Sequence, residues 1–315
     1  GEFSHEVMKM FTSMAERDMD KSNEDKSVKR KVFHVMVECL QNMTKHSDDV
    51  DKNDGVGNGL VLQSGQGENW PASDQEMMEV TADDYINDYV QNGQPFHVYY
   101  MTVSGHAYYS WGHPIALKYK DVVQAAYPGV SSVTQAYIAT QLELEAALKT
   151  LVDKLEAAGI ADDTVICLSA DHYPYGLTDE EMDELAGYDL DSMELYRNGC
   201  IIYKKGMEPE TVEEPCCSMD LLPTLSNLFG VEFDSRLYMG RDVFSDAAPL
   251  IIFSNHSWIT DRARYNADTG VAKAKGDMEL PSEYVENISN EVSNRFTVSA
   301  RILDYDYWNI LFPKE

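Results

Sequence analysis

Two side chains able to bind a metal ion stand next to each other directly after an apolar run. Asp171 and His172 follow residues 164–169, whose sequence TVICLS has the β-branched and apolar content of a buried strand. A carboxylate oxygen beside an imidazole nitrogen suits Mn²⁺, Zn²⁺ or Fe²⁺, and Mg²⁺ when more oxygens are added. Asp-His dipeptides are common, so it is the position at the end of a strand that favours a metal site.

A second histidine has a comparable position. His106 follows the aromatic and β-branched segment 96–104, which predicts another buried strand. In open α/β sheets, functional groups collect at the carboxyl ends of the strands. We therefore predict that His106, Asp171 and His172 face one common site. The competing interpretation is a surface histidine in a Ser/Gly-rich loop, since His113 lies close by in the same segment.

The elements around these residues are typical of an α/β fold. Ser73 followed by Glu76 has the spacing of a capping box and predicts a helix over 73–90. The other predicted elements are a long amphipathic helix over 131–159, a short helix over 218–230 and strands over 96–104, 162–170, 198–205 and 248–255. Strands separated by a helical crossover predict a mostly parallel sheet flanked by helices.

Composition limits the function classes. The formal net charge of -29 disfavours a nucleic-acid partner, and an anionic substrate would need a cation to bind. No run of roughly 18 to 20 apolar residues could span a membrane, so we expect a soluble chain whose membrane anchor, if any, lies outside it. The five cysteines lack metal-ligand spacing and are expected to be packing thiols.

Five blocks of sequence, in order, resemble the extracellular catalytic domain of lipoteichoic acid synthases. The blocks are FHVYYMTVSGHAYY, the long helix that leads into TVICLSADHYPYG, CCSMDLLPTLSNLFG, LYMGRDVFS and IIFSNHSWITD. The resemblance covers roughly residues 57–270 and implies an alkaline phosphatase/sulfatase-like α/β fold. These synthases are phosphoglycerol transferases of the sulfatase and alkaline phosphatase superfamily, at the extracellular face of the bacterial cell membrane.

The resemblance also implies roles for single residues. Asp171 and His172 match two ligands of a divalent cation, Mn²⁺ in preference to Mg²⁺ or Zn²⁺. His106 matches the active-site histidine that contacts the transferred phosphoglycerol and assists the leaving group. Asp220 is expected to cap a helix and to form local hydrogen bonds. Arg241 and His256 are expected to have structural or rim roles.

The implied reaction is attack of a metal-activated Thr or Ser hydroxyl on the phosphodiester of a membrane lipid. The partner would be an anionic lipid or polyglycerolphosphate. Neither that nucleophile nor an upstream acidic metal ligand is found; Thr12 is the nearest imitation, and it lies in a helical pattern. We therefore expect an incomplete catalytic domain with little or no turnover. The alternatives are a sulfatase or phosphodiesterase on the same scaffold, and a non-catalytic signalling or binding module.

The N-terminal segment, residues 1–56, differs from the remainder, 57–315, and is predicted to be an extra helical segment. Glu38 and Asn42, with the Lys-His that follows, resemble the N-box of histidine-kinase-type ATPases of the GHKL class, particularly SiaB-type signalling kinases. The glycine-rich boxes of that class do not follow, so no ATPase activity is expected. The segment is either a helical pair packed on the sheet or a piece of a second protein.

Overall fold

The computed structural model describes residues 73–106 and 108–312. The chain divides into two compact units. Among the described residues, unit 1 contains those of 73–165 and 174–190, and unit 2 contains 166–173 and 191–312. Asp171 and His172 therefore belong to unit 2, while His106 belongs to unit 1.

The predictions for the N-terminal segment, including those for Thr12, Glu38 and Asn42, lie outside the described residues. The division of the chain at residue 57 stays a prediction for the same reason. Within the part of the chain that the structure describes, no helix combines the length and the apolar character needed to cross a membrane.

Unit 1 is helical. Its elements are α1 (Asp74–Asn92), α2 (Pro114–Lys118), α3 (Lys120–Ala126), α4 (Ser132–Ala158) and α5 (Asp179–Ala186). The first three helices all pack against α4. The core between them includes Ala116, Ala136 and Ala139, all fully buried. Alanine side chains are small, so the helices approach closely, and larger residues such as Val123 fill the space that remains.

The predicted helices α1 and α4 are confirmed, and their capping residues explain where they begin and end. Ser73 Oγ accepts a hydrogen bond from the Glu76 backbone N–H, and Ser131 Oγ accepts one from that of Thr134. Gly159 ends α4 with a φ of +73°, a left-handed conformation that glycine adopts without strain.

The apolar stripe of α4 is rotated from the predicted one. The sequence predicts that Ile138, Leu142, Ala146, Leu151 and Leu155 share the buried face. Leu151 and Leu155 are buried, but the other three are only half-buried. The fully buried positions include Thr140 and Glu143. The Thr140 hydroxyl donates to the Tyr137 carbonyl within α4, and Glu143 accepts from groups outside this helix.

The strand predicted over 96–104 is wrong. This segment has no strand pairing, and its aromatic rings pack on α1 instead: the Phe96 and Tyr85 ring centroids lie 4.8 Å apart. The Tyr100 hydroxyl hydrogen-bonds to the Tyr85 hydroxyl at 3.0 Å, while Tyr99 remains largely exposed. Aromatic residues favour half-buried surfaces of any kind, and here a helix provides that surface.

Unit 2 contains two sheets. Its elements, with Val165 of β1 in unit 1, are β1 (Val165–Ser169), β2 (Cys200–Lys204), α6 (Leu221–Leu228), β3 (Ile251–Ile252), β4 (Trp258–Ile259), β5 (Ala263–Asn266), β6 (Val271–Ala274), α7 (Ser282–Asp304) and α8 (Tyr307–Leu311). The predicted strands at 162–170 and 198–205 are confirmed as β1 and β2, which pair with each other. The predicted helix over 218–230 is confirmed as a 3-10 turn followed by α6.

The parallel sheet is not confirmed among the described residues. The strand predicted over 248–255 shortens to β3, which belongs to a four-stranded sheet of order β3-β4-β5-β6. Every pairing in that sheet is antiparallel. The strands are joined by short turns, which favour antiparallel neighbours, whereas parallel ones need a long crossover. The described residues thus contain both helices and strands, and the α/β prediction is confirmed only to that extent.

The four-stranded sheet packs on α7. Trp258 is fully buried, and its indole N–H donates to Ser289 Oγ at 3.1 Å. Val292, also fully buried, lies in the same core. Sequence analysis did not predict α7 or the strands β4 to β6.

Candidate functional site

Asp171 and His172 lie just beyond the end of β1, as predicted. The segment is held in unit 2 by the residue that follows: the Tyr173 ring meets the Tyr196 ring edge to face at 5.3 Å. The Asp171 side chain is 75% exposed and that of His172 is 48% exposed. Both side chains are therefore accessible from solvent.

The hydrogen bonding of His172 identifies its tautomer. Nδ1 lies 2.7 Å from the backbone carbonyl oxygen of Tyr173. A carbonyl oxygen only accepts, so Nδ1 carries the proton and donates it. When the ring is neutral, Nε2 therefore has the lone pair, and this atom lies 3.6 Å from Asp171 Oδ2. Two acceptors at this distance are stabilised by a cation, either a proton on Nε2 or a metal ion.

The pair fits a divalent cation. Ligand bonds to Zn²⁺ and Mg²⁺ are about 2.0–2.2 Å long, so two ligands of one ion are at most about 4.4 Å apart. The separation of 3.6 Å between Nε2 and Oδ2 is within this limit. The bond from Nδ1–H to a backbone carbonyl is also the usual second interaction of a metal-binding histidine.

The described residues supply only part of a ligand set. No group of three or more His, Cys, Asp or Glu side chains able to hold a metal ion occurs in 73–106 or 108–312. Asp171 and His172 are thus a pair, and further ligands would be water, substrate oxygens or residues outside the described ones.

His106 lies in a loop of unit 1 that Asp74 anchors. The buried Asp74 carboxylate accepts hydrogen bonds from the backbone N–H groups of Val103 at 2.9 Å and Ser104 at 3.1 Å. The backbone N–H of Asp74 donates in return to Ser104 Oγ at 2.9 Å. Burial raises the pKa of Asp74, although these hydrogen bonds oppose the shift.

The loop itself is a tight turn with an exposed histidine. The His106 backbone N–H donates to the Val103 carbonyl at 3.0 Å, and the Tyr109 hydroxyl donates to the Gly105 carbonyl at 3.0 Å. The convergence of His106 with the Asp171 and His172 pair stays a prediction.

His113 has a structural role that sequence analysis missed. Its Nδ1 accepts a hydrogen bond from the Ala116 backbone N–H at 3.3 Å and so caps α2. Burial lowers the pKa of His113, against an opposing interaction with the His106 backbone. Within the described residues, its buried Nε2 has no hydrogen-bond partner. The signal available in the sequence was Pro114, because proline is frequent in the first turn after a cap.

Glu143 is a second buried group that sequence analysis missed. Its side chain is fully buried and accepts hydrogen bonds from Lys118 Nζ at 2.8 Å, from the Tyr119 hydroxyl at 2.6 Å and from Ser73 Oγ. Burial pushes the pKa of Glu143 upward, but these bonds together with Lys118 outweigh it and hold the pKa below the ordinary value. Glu143 therefore joins α1, α2 and α4 through one carboxylate.

Asp220 has the local hydrogen-bonding role expected for it. Its Oδ2 accepts from the Cys217 backbone N–H at 2.9 Å, and its Oδ1 accepts from that of Arg241 at 2.8 Å. The two loops meet so closely that a Cβ at Gly240 would lie 2.0 Å from the Met219 carbonyl oxygen.

Arg241 and His256 also contact protein groups. The Arg241 side chain is 8% exposed and forms an ion pair with Glu214 at 2.9 Å. The His256 ring stacks on the Phe296 ring, with centroids 4.2 Å apart. Both observations favour the structural interpretation of these residues.

The family model described as Sulfatase matches residues 12–231. The chain belongs to the sulfatase family. Members of this superfamily use divalent metal ions, which agrees with a ligand pair at Asp171 and His172. The matched range includes β1 and the segments carrying His106, Asp171 and His172, and it begins within the N-terminal segment.

Three relatives narrow the resemblance within this family. The chain is 26% identical over 253 residues to the lipoteichoic acid synthase-like YvgJ of Bacillus subtilis (strain 168), covering 77% of this chain and 39% of that protein. It is 28% identical over 206 residues to the lipoteichoic acid synthase of Staphylococcus saprophyticus, covering 63% of this chain and 30% of that protein. The lipoteichoic acid synthase of Staphylococcus aureus (strain USA300) is 27% identical over 235 residues, which cover 71% of this chain and 34% of that protein.

The match to lipoteichoic acid synthases confirms the resemblance inferred from the five sequence blocks. The matched regions span about a third of the length of these relatives. The activity, substrates and partners of the whole relatives are therefore matters for proposal.

Proposed function

We propose that this sulfatase-family chain carries the metal-binding and phosphoglycerol-binding part of a lipoteichoic acid synthase-like transferase. The substrate would be the phosphodiester of an anionic membrane lipid or polyglycerolphosphate, handled at the extracellular face of a bacterial membrane. The observation that supports this most directly is the Asp171 carboxylate 3.6 Å from His172 Nε2 at the end of β1, in a chain of this family.

Asp171 and His172 would hold the divalent cation, with Mn²⁺ favoured over Mg²⁺ and Zn²⁺. A bound divalent cation offsets phosphate charge and lowers the pKa of an attacking hydroxyl. Charge compensation matters here because the chain has a formal net charge of -29 and would otherwise repel an anionic lipid. The hydrogen bond from His172 Nδ1 to Tyr173 keeps the ring oriented with its Nε2 lone pair toward Asp171.

His106 would contact the phosphoglycerol group and supply a proton to the leaving oxygen. Asp74 is the positioning residue for this histidine, because its carboxylate holds the backbone of the two residues before Gly105. A buried anchor of this kind reduces the freedom of the loop before substrate binds.

The alternative is a sulfatase or phosphodiesterase acting on a small ester, favoured by the description of the family model. Metal-dependent binding of an aryl sulfate would indicate a sulfatase site, whereas metal-dependent binding of glycerol phosphate would indicate a phosphoglycerol site.

The first test is Mn²⁺ binding by the purified chain, measured by electron paramagnetic resonance of the free ion. Loss of one of two protein ligands should weaken binding by at least about tenfold, so Asp171→Ala and His172→Ala should both show this loss. Matched controls are Asp163→Ala and His97→Ala, which replace exposed residues of the same types. Full Mn²⁺ binding by both ligand variants would overturn the proposal.

The second arm measures glycerol phosphate binding in saturating Mn²⁺ by isothermal titration calorimetry. His106→Ala should retain Mn²⁺ binding and weaken glycerol phosphate binding, because His106 is assigned to the substrate and not to the metal. Unchanged glycerol phosphate affinity in this variant would contradict its role. Tighter Mn²⁺-dependent binding of an aryl sulfate than of glycerol phosphate would favour the sulfatase alternative.

A further inference from the structure

Two cysteines of unit 2 lie on paired strands. Cys167 is in the middle of β1 and Cys200 is the first residue of β2, and the two strands are neighbours in one sheet. The two thiols are within hydrogen-bonding reach of each other. Both residues are exposed and both thiols are reduced. A small reagent in solution can therefore reach this pair.

The general spacing of neighbouring strands suits a covalent bond between side chains that face each other. Neighbouring strands run about 4.8 Å apart. Disulfide-bonded residues have Cα atoms about 4.4–6.8 Å apart, so adjacent strands allow the bond with little backbone movement. The existing contact between the thiols shows that both side chains already point toward each other.

The two sulfurs have different roles in their contact. The hydrogen bond between the thiols lowers the pKa of Cys167 and raises that of Cys200, so it favours the thiolate at Cys167. Burial is the larger influence and leaves the pKa of both thiols above the ordinary value. Cys167 is therefore the first nucleophile, and its reaction should become faster as the pH rises.

We propose that Cys167 and Cys200 form a redox-active thiol pair that a low-molecular-weight disulfide converts into an intramolecular disulfide bond. The Cys167 thiolate attacks one sulfur of the reagent, and the sulfur–sulfur bond of the reagent breaks with release of one thiol. The Cys200 thiolate then attacks the Cys167 sulfur of the mixed disulfide and releases the second thiol. Two protein thiols are oxidised, one reagent disulfide is reduced to two thiols, and both protein protons are taken up by the released thiolates.

Two other thiols of unit 2 are weaker candidates. Adjacent cysteines are poorly suited to bridging, which disfavours a bond between Cys216 and Cys217. Burial and the neighbouring Asp220 raise the pKa of Cys217 to about 11, so it has little thiolate near neutral pH. Cys216 lies near enough to Cys200 to interact electrostatically and is the competitor that the experiment must exclude.

The disulfide bond would restrain the strand that leads into the candidate metal pair. Asp171 and His172 follow Cys167 by a few residues, so linking β1 to β2 restrains the strand from which both side chains emerge. The closed loop, residues 167–200, also removes conformational freedom from the unfolded chain. Oxidised protein should therefore unfold at a temperature higher by roughly 5–10 °C than reduced protein.

The test treats the purified chain with oxidised glutathione at pH 8, blocks the remaining thiols, and maps disulfides by peptide mass spectrometry without reduction. We expect two of the five thiols to disappear and one peptide pair to link Cys167 with Cys200. Cys167→Ser and Cys200→Ser should lose this link. The matched control Cys216→Ser should keep it, and its oxidised form should show the same rise in unfolding temperature.

Three results would overturn the proposal. One is the persistence of all five thiols after treatment, and another is a link that maps to Cys216 in the unsubstituted chain. The third is a rise in unfolding temperature that survives in Cys200→Ser. The mapping of the unsubstituted chain decides the matter even if a serine variant fails to fold. No readout depends on metal binding, so failure here leaves the proposed function untouched.

Discussion

The buried Glu143 offers a sharp test of how unit 1 is held together. Replacing it in Glu143→Gln keeps the size of the side chain and removes its charge. Three donors contact this carboxylate: the Lys118 ammonium, the Tyr119 hydroxyl and the Ser73 hydroxyl. Hydrogen bonds to a charged group contribute about 1.5–3 kcal/mol and neutral ones about 0.5–1.5 kcal/mol, so each bond weakens by roughly 1 kcal/mol.

The expected net loss is smaller than the sum of these terms. Lys118 is 47% exposed, so solvent screens its share, and burying a neutral amide costs less than burying a carboxylate. We therefore expect Glu143→Gln to reduce the free energy of unfolding by about 2 kcal/mol at pH 7. The matched control is Glu145→Gln, an exposed position on the same helix, which should change it by less than about 0.5 kcal/mol.

The loss should also depend on pH. The pKa of Glu143 in the folded protein lies below its ordinary value of 4.5. Its charge therefore stabilises the fold fully above pH 4.5, and this stabilisation disappears as the pH falls through the folded-state pKa. The difference between the unsubstituted chain and Glu143→Gln should narrow in that range.

The measurement is urea unfolding followed by circular dichroism, whose helical signal comes from unit 1 and from α6, α7 and α8 of unit 2. A difference that stays constant from pH 7 to pH 3 would refute the reasoning, because protonated Glu143 should behave like glutamine. A variant more stable than the unsubstituted chain at pH 7 would refute it as well, since the charge would then be a net cost.

Two further substitutions test how loops are held. Asp74→Ala should lower the free energy of unfolding by about 3 kcal/mol and speed amide hydrogen exchange at Val103 and Ser104, because both backbone N–H groups lose their acceptor. The control is the exposed Asp84→Ala, and unchanged exchange in Asp74→Ala would contradict the anchoring role. Gly240→Ala should lower the free energy of unfolding, measured by thermal unfolding, by at least about 3 kcal/mol, because its Cβ would overlap the Met219 carbonyl. The control is Gly129→Ala, which has open space around it and should leave the stability nearly unchanged. Equal effects of the two substitutions would contradict the close approach at Gly240.

Local signals in the sequence were enough to predict several elements. The helices α1 and α4 begin directly after Ser73 and Ser131, because each serine hydroxyl caps a backbone N–H group three residues later. β1 was predicted from a continuous apolar run, and Asp171 with His172 are neighbours in the chain itself. Their closeness is therefore determined by the sequence, and the structure adds the orientation of the His172 ring through Tyr173.

Predictions from local sequence were wrong where a segment's packing or pairing partner is distant in the chain. The aromatic segment 96–104 has the composition of a strand, but composition does not reveal whether a strand or a helix will cover it, and here α1 does. The strand at Ile251 was predicted as part of a parallel sheet, yet Ile251 pairs with Ile259 in the next, antiparallel strand. Strand direction depends on the pairing partner, which lies outside any local window.

The sequence by itself determined the helix boundaries of α1 and α4, the apolar strand before the candidate metal pair and the adjacency of the pair's two ligands. Only the tertiary structure decided that Glu143, Asp74 and Asp220 are buried carboxylates with donors far away in the chain. Capping and covalent adjacency act within a few residues, so they can be read locally. A buried charge is stable only when the whole fold brings its donors to it, and that condition has no local signature.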